Sequence, residues 1–312
     1  MVVFGPVPSR RLGKSIGINH IPHKICTYSC AYCQIGHSLK MSIERTSFYN
    51  PTEIISELRE KLKVLKANGE KIDYITFVPD GEPTLDKNLG ELIRKTKEFE
   101  IPVAVITNSS LLSMEEVRNH LFEADWVSVK VDSVIEESWR KIDHPHRDLS
   151  LERILEGILM FAQMYEGILV SETMVVKELN DDQENAEATS SYLQKLQPAY
   201  CYISIPTRPP AESWVQPPDE DAINTIYQIF SSAGLRTELL IGYEGNEFAH
   251  SGNVADDILS ITAVHPMRED AVLEYLQNVG ESYSVIENLL RNNQLKVSEY
   301  NGRKFYNRTF GK

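Results

Sequence analysis

No run of about 18 apolar residues occurs in this 312-residue chain, so no segment is suited to cross a membrane as a helix. The opening MVVFGPVPSRRLG meets proline and charge too early for the apolar part of a secretory signal; the expectation is a cytoplasmic protein with no membrane partner. Cysteine is scarce. Four cysteines in a reducing compartment do not make a disulfide framework. There is no internal repeat, and 16 Gly and 15 Pro with 42% hydrophobic residues exclude collagenous and disordered classes. Excess positive charge is missing too: a net charge of −13 argues against a broad nucleic-acid footprint.

That charge is unevenly spread. Residues 1 to 50 hold six basic groups against one acidic group, and residues 253 to 312 hold seven against eight, so the acidic excess lies in the middle. The basic N-terminal segment contains three of the four cysteines. In CTYSCAYC, Cys26, Cys30 and Cys33 stand as C-x3-C-x2-C, after an expected strand and near Gly17 and Gly36. A tight loop turns three such thiolates toward one centre. A cubane [4Fe-4S] cluster takes a thiolate on each iron, so three cysteines leave one iron open to a chelating small molecule. The alternatives are a zinc site, closed by His23, His37 or Cys201, and three unrelated buried thiols. Cys201 opens the apolar run CYISI, where a lone cysteine is ordinarily a small core residue.

Along the chain, apolar runs alternate with helical patterns, the signature of βα units around a parallel sheet. Strands are expected at 15–21, 74–78, 103–107, 126–131, 168–176 and 201–205, and helices at 51–69, 86–99, 113–122, 150–166, 181–196 and 219–233. The 51–69 helix opens on Pro51 and stops at Gly69. Six strands predict an α/β fold, a partial (βα)6 TIM-like barrel over residues 1–250, with functional loops at the strands' C-terminal ends. A polar break at 250–257 leads to helical stretches at 255–263, 267–279 and 283–292, then a hairpin signal at Asn301-Gly302. Three helices and a hairpin suggest a small winged-helix domain over 251–312, suited to protein docking or to covering the barrel mouth.

The cysteine spacing, with an aromatic before the last cysteine, resembles the radical S-adenosylmethionine (radical SAM) superfamily. FVPDGEPTL (77–85) is similar to that family's Gly-Gly-Glu-Pro element, with Asp80 in place of the first glycine. TNSSLL (107–112) ends the third strand, and SVKVDS (128–133) takes the place of the family's Ser-Leu-Asp. ETMVVKELND (172–181) is similar to the fifth-strand segment of the molybdopterin-precursor cyclase, with Glu172 at the position of its Asn. Across GPVPSRRLGKSIGIN, CTYSCAYCQIG, PTRPPAE (206–212) and TAVHPMRED (262–270), the chain most resembles archaeal and bacterial iron–sulfur proteins related to the wyosine-base synthases. Those synthases use further cysteines for a second cluster, and only Cys201 is left here.

The resemblance implies an enzyme that cleaves S-adenosylmethionine reductively at one [4Fe-4S] cluster held by Cys26, Cys30 and Cys33. The 5′-deoxyadenosyl radical then takes hydrogen from a substrate, a tRNA base or a phosphorylated small metabolite. It implies Gly81 and Glu82 at the cofactor ammonium, and Lys130 at its carboxylate with Asp132 alongside. Asn108 and Glu172 fall at the ribose or nearby polar atoms, the Tyr32 backbone at the adenine, and a ferredoxin or flavodoxin serves as electron donor. Arg10, Arg11 and Arg208 offer forked donors to an anionic substrate. The proline-stiffened stretch 206–220, with Trp214, suits a lid. A function of another class is an iron–sulfur redox-sensing regulator using the winged helix on DNA.

Overall fold

A computed structural model describes residues 2–242, 248 and 253–309. The chain begins with strands β1 (Val3–Ser9), β2 (Gly13–Ile18), β3 (Ile25–Cys26) and β4 (Lys40–Met41), then α1 (Pro51–Ala67). Next come β5 (Tyr74–Phe77), α2 (Leu89–Lys97), β6 (Val103–Thr107), α3 (Glu115–Leu121), β7 (Trp126–Lys130), α4 (Glu136–Asp143) and α5 (Leu151–Met164). β8 (Ile168–Met174), α6 (Gln183–Leu196), β9 (Tyr200–Ser204), α7 (Glu220–Ser232) and β10 (Thr237–Leu240) complete the first part. The helices begin where the sequence supplies caps. Asn50 accepts the Thr52 amide ahead of Pro51, and Ser150, Asp182 and Asp219 cap α5, α6 and α7 in the same way.

One sheet runs in the order β1-β2-β5-β6-β7-β8-β9-β10, parallel throughout except for β1, which pairs antiparallel with β2. This is an α/β fold with a mostly parallel sheet, open between β1 and β10. The expected six strands are all present, and two edge strands, β1 and β10, are added to them. The short helix α4 is also added. β1 carries Pro6 and Pro8, residues a strand tolerates at a sheet edge and which mask it in a sequence. Across the opening, the Arg10 guanidinium donates to the carbonyls of Leu239 (3.3 Å) and Gly242 (3.2 Å).

Strand parity decides which residues reach the site. On β6, Val103 and Val105 join the core beneath the helices, while Ala104 and Ile106 face the other way, onto the sheet's inner face. The same alternation turns Val127 and Val129 outward and Lys130 inward, and Leu169 outward and Glu172 inward. Cys201 and Ile203 point into the helix-side core. Cys201 therefore lies on the helix side of the sheet, away from the inner face, which removes it as a ligand partner for the other three cysteines.

The chain ends with α8 (Val254–Thr262), β11 (Met267–Arg268), α9 (Glu269–Val279), α10 (Ser284–Arg291), β12 (Leu295–Tyr300) and β13 (Arg303–Arg308). The last three strands form an antiparallel sheet ordered β11-β13-β12, and Asn301-Gly302, both at positive φ, make the expected hairpin turn. These elements have their own core, including Ile258, Tyr275, Ile286 and Tyr306. Ala263 and Val264 pack on Phe4, and buried Lys61 of α1 pairs with Asp257 at 3.6 Å. Of the break expected at 250–257, residues 250–252 lie outside the described residues.

Candidate active site

The cysteine loop is tied at both ends. β3 and β4 pair through Ile25–Lys40 and Cys26–Met41. Carbonyls of the last turn of α4 hold its middle: Ser29 N–H donates to Asp143 O (3.1 Å), and Ala31 N–H to Ile142 O (2.8 Å). Two successive tight turns follow, with Cys33 N–H on Cys30 O and Gly36 N–H on Cys33 O, both at 3.0 Å. The turn carrying Gly81 presses against the strand before Cys26. A side-chain carbon at Gly81 would lie 2.0 Å from the Ile25 carbonyl oxygen, so only glycine lets the two backbones approach.

Cys26, Cys30 and Cys33 are half-buried, unpaired thiols. Burial first, and then the charge of Glu82, pushes the Cys26 thiol up to about 12; burial and the charge of Asp143 raise Cys30 well above its ordinary range. Among the described residues, no three His, Cys, Asp or Glu side chains are grouped to hold a single metal ion. Ligands of one tetrahedral zinc converge more closely than sulfurs that each bind a different iron. Of the residues expected as a fourth zinc ligand, His23 pairs with Asp80 at 2.5 Å and His37 lies 4.0 Å from Glu212.

Glu82 is buried. Its Oε1 accepts Thr84 N–H (3.0 Å) and the hydroxyls of Thr84 and Thr107 (2.6 Å each), and Oε2 accepts Asn108 N–H (2.8 Å). The Asn108 amide donates to Thr27 Oγ1 at 2.7 Å and reaches Cys26 Sγ at 3.6 Å. On neighbouring strands, Lys130 and Glu172 are register partners, with Nζ 3.6 Å from Oε1. Arg11 donates to Glu172 Oε2, and Ser204 Oγ to Oε1 at 3.1 Å. Burial alone would raise the Glu172 carboxyl, but Arg11 and Lys130 outweigh it and hold it at about 2. Burial likewise works against the Lys130 charge, yet Glu172 and Asp132 carry its pKa above the usual lysine value.

Tyr32 donates its hydroxyl to Asp132 at 2.5 Å, and the Lys130 ammonium lies 5.0 Å from the centre of its ring. Asp132 and Asp143 are both buried and both titrate high, by desolvation first and, for Asp143, by the neighbouring Asp132 charge. A cavity of about 320 Å³ opens beside this group, bordered by Tyr32, Cys33, Lys130 and Glu172. Arg10, Arg11 and Arg208 all border it as well. Arg208 donates to Gln34 Oε1 (2.9 Å) and contacts His265 Nε2 (3.0 Å), while the Gln34 amide donates to Val264 O (3.0 Å). Trp214, expected to cover the site, is 51% exposed and does not border the cavity, whereas Pro206, Thr207 and Arg208 of the same stretch do.

Lys24, Asp143, Ser204, Gln34 and His265 are site neighbours that sequence patterns did not single out. His265 sits in TAVHPMRED and Gln34 in CTYSCAYCQIG, segments whose resemblance carried no role for either; Lys24, Asp143 and Ser204 belong to no such segment.

A family model described as the Radical SAM superfamily matches residues 20–188, a span holding the cysteines, Gly81, Glu82, Asn108, Lys130, Asp132 and Glu172. The chain belongs to the radical SAM superfamily. Within this radical SAM family it is 47% identical over 307 residues to a UPF0026 protein of Methanocaldococcus jannaschii, covering 98% of this chain and 95% of that one. A GTP 3′,8-cyclase of Helicobacter pylori is 29% identical over 164 residues, 51% of this chain and 47% of the relative. A solved radical SAM methyltransferase from Sphaerobacter thermophilus superposes with TM-score 0.58 at 15% identity, over 73% of this chain and 66% of that one, which shows a shared fold. The superfamily and the enzymes among the relatives make this radical SAM protein an enzyme. No helix among the described residues is long and apolar enough to span a membrane.

Proposed function

We propose that Cys26, Cys30 and Cys33 hold one [4Fe-4S] cluster, that S-adenosylmethionine chelates the iron left open, and that the adjoining cavity receives an anionic substrate. One observation carries this reading: Cys26, Cys30 and Cys33 are free thiols on one loop, and Cys33 borders a cavity lined by Lys130, Glu172 and three arginines. The donor set fits. Thiolates are the ligands iron–sulfur clusters take, and Lys24 sets a buried cation against Cys33 Sγ at 3.4 Å, as an anionic sulfur cage requires. Held by Cys26, Cys30 and Cys33, the cluster would supply the electron for reductive cleavage of S-adenosylmethionine, and with it hydrogen abstraction from a substrate.

The chain's own residues bind and orient. Glu82, locked by Thr84, Thr107 and Asn108, holds the Gly81 turn against Ile25 and keeps an acceptor direction on Oε2 for the cofactor ammonium. Lys130 stays cationic and meets the carboxylate, with Asp132 fixing Tyr32, whose backbone faces the adenine. Glu172 stays anionic and, with Asn108, accepts from the ribose or nearby donors. Arg10, Arg11 and Arg208 favour a phosphorylated metabolite or a tRNA base. The barrel occupies residues 1–250, and residues 251–312 form a winged-helix-like domain covering its mouth, a reading supported by the contacts of His265 with Arg208 and of Tyr300 with Pro206. A low-potential ferredoxin or flavodoxin is the electron donor, and the cytoplasm the compartment. The redox-sensing regulator finds no support among relatives that are enzymes.

Anaerobic reconstitution followed by dithionite and S-adenosylmethionine tests the reading. It predicts 5′-deoxyadenosine; none from a fully loaded protein would refute it.

A further inference from the structure

We propose that Lys24 is a positioning charge that raises the reduction potential of the cluster, an inference that rests on the cluster reading above. Lys24 is 3% exposed, and its ammonium donates to Cys33 Sγ at 3.4 Å and to the Gly36 carbonyl oxygen. Among the described residues, no carboxylate lies within ion-pair reach of it, unlike Lys14, Lys61 and Lys130, which each face a glutamate or aspartate. A buried cation without a carboxylate needs another anion, and the nearest is sulfur.

The backbone is built to hold it there. Lys24 has φ near +60°, a region that costs a lysine energy, and its carbonyl accepts the amides of Leu39 (3.0 Å) and Lys40 (3.2 Å). Those two bonds and the β3–β4 pairing fold the chain back so that the side chain lies inside the loop it closes. On the opposite side, Asn108 offers its amide to Cys26 Sγ at 3.6 Å. Hydrogen bonds to sulfur and nearby net charge are the levers by which a protein sets a cluster's potential. Reduction adds a negative charge, so a fixed cation stabilises the reduced state more than the oxidised one and makes the electron easier to accept.

The test is a potentiometric titration of the reconstituted full-length protein, followed by electron paramagnetic resonance, for wild type, Lys24→Met and Lys24→Arg. All three bear the same backbone strain at position 24, so the comparison isolates charge. Lys24→Met is expected to shift the midpoint to more negative potential and to lower the reduced fraction several-fold at a fixed potential near the wild-type midpoint; Lys24→Arg restores the wild-type value. A Lys24→Met midpoint equal to wild type, at equal iron and sulfide per chain, overturns the proposal. So does equal displacement of both variants, which would mark Lys24 as structural. Should Lys24→Met fail to retain iron, Lys24→Gln gives the neutral comparison; loss of iron from both neutral variants, with unchanged circular dichroism, also overturns it. Wild-type protein that takes up no cluster defeats the underlying reading instead, and iron analysis separates that outcome from the others.

Discussion

The barrel rim and the C-terminal elements treat charge in opposite ways. Around the cysteine loop, Lys24, Glu82, Asp132 and Asp143 are buried, and Arg11, Lys130 and Glu172 are mostly covered. The C-terminal core is filled by Ile258, Ile261, Val272, Ile286 and Leu289, with Asp257 as its buried acid. Buried ions cost stability unless paired, whereas apolar packing contributes it directly. The contrast separates a rim rich in covered charge from a C-terminal unit held by apolar packing.

The largest effect expected from breaking the rim comes from Cys30→Ala, which removes one of the three proposed sulfur donors: iron and sulfide after reconstitution should fall to background, while thermal unfolding of the apoprotein barely moves. Next, Arg11→Met leaves Glu172 with Lys130 as its cation and should cost about 3 kcal/mol in denaturant unfolding. Leu289→Ala should cost a similar amount, about 3 kcal/mol, by opening a void in the C-terminal core, yet leave iron content unchanged. Equal loss of iron in both would erase the contrast. Acid should sharpen it: Glu172 is held at about 2, below its unfolded value, so its contribution is complete above about pH 4.5 and lost as pH falls toward 2. Glu172→Gln should flatten that limb of the stability profile. The smallest effect is Arg10→Met, below about 1 kcal/mol, because its partners are carbonyls at an exposed seam.

Periodicity made most of the barrel legible. Strands such as VAVIT, buried on both faces, and helices opened by Asn50, Ser150 or Asp219 carry local signals that the fold keeps. The two edge strands did not, since β1 is interrupted by prolines and β10 opens on Thr237 and an exposed Glu238. α4 was missed because it is eight residues long with Trp139 and Ile142 as its only large apolar residues, yet its last turn holds the cysteine loop and supplies Asp143. At the candidate site, the cysteine spacing is visible in the sequence, whereas the Gly81 contact with Ile25, the closure of Glu82 by threonines and the reach of Lys24 to Cys33 are tertiary facts. Strand parity, readable from the sequence once register is known, is what brings Lys130 and Glu172 together.

The most direct measurement is the electron paramagnetic resonance spectrum of the reduced, reconstituted protein with and without S-adenosylmethionine. Three cysteines and an open iron predict a changed g-tensor when the cofactor binds. Superimposable spectra at saturating S-adenosylmethionine, from protein with a full complement of iron and sulfide, would contradict it.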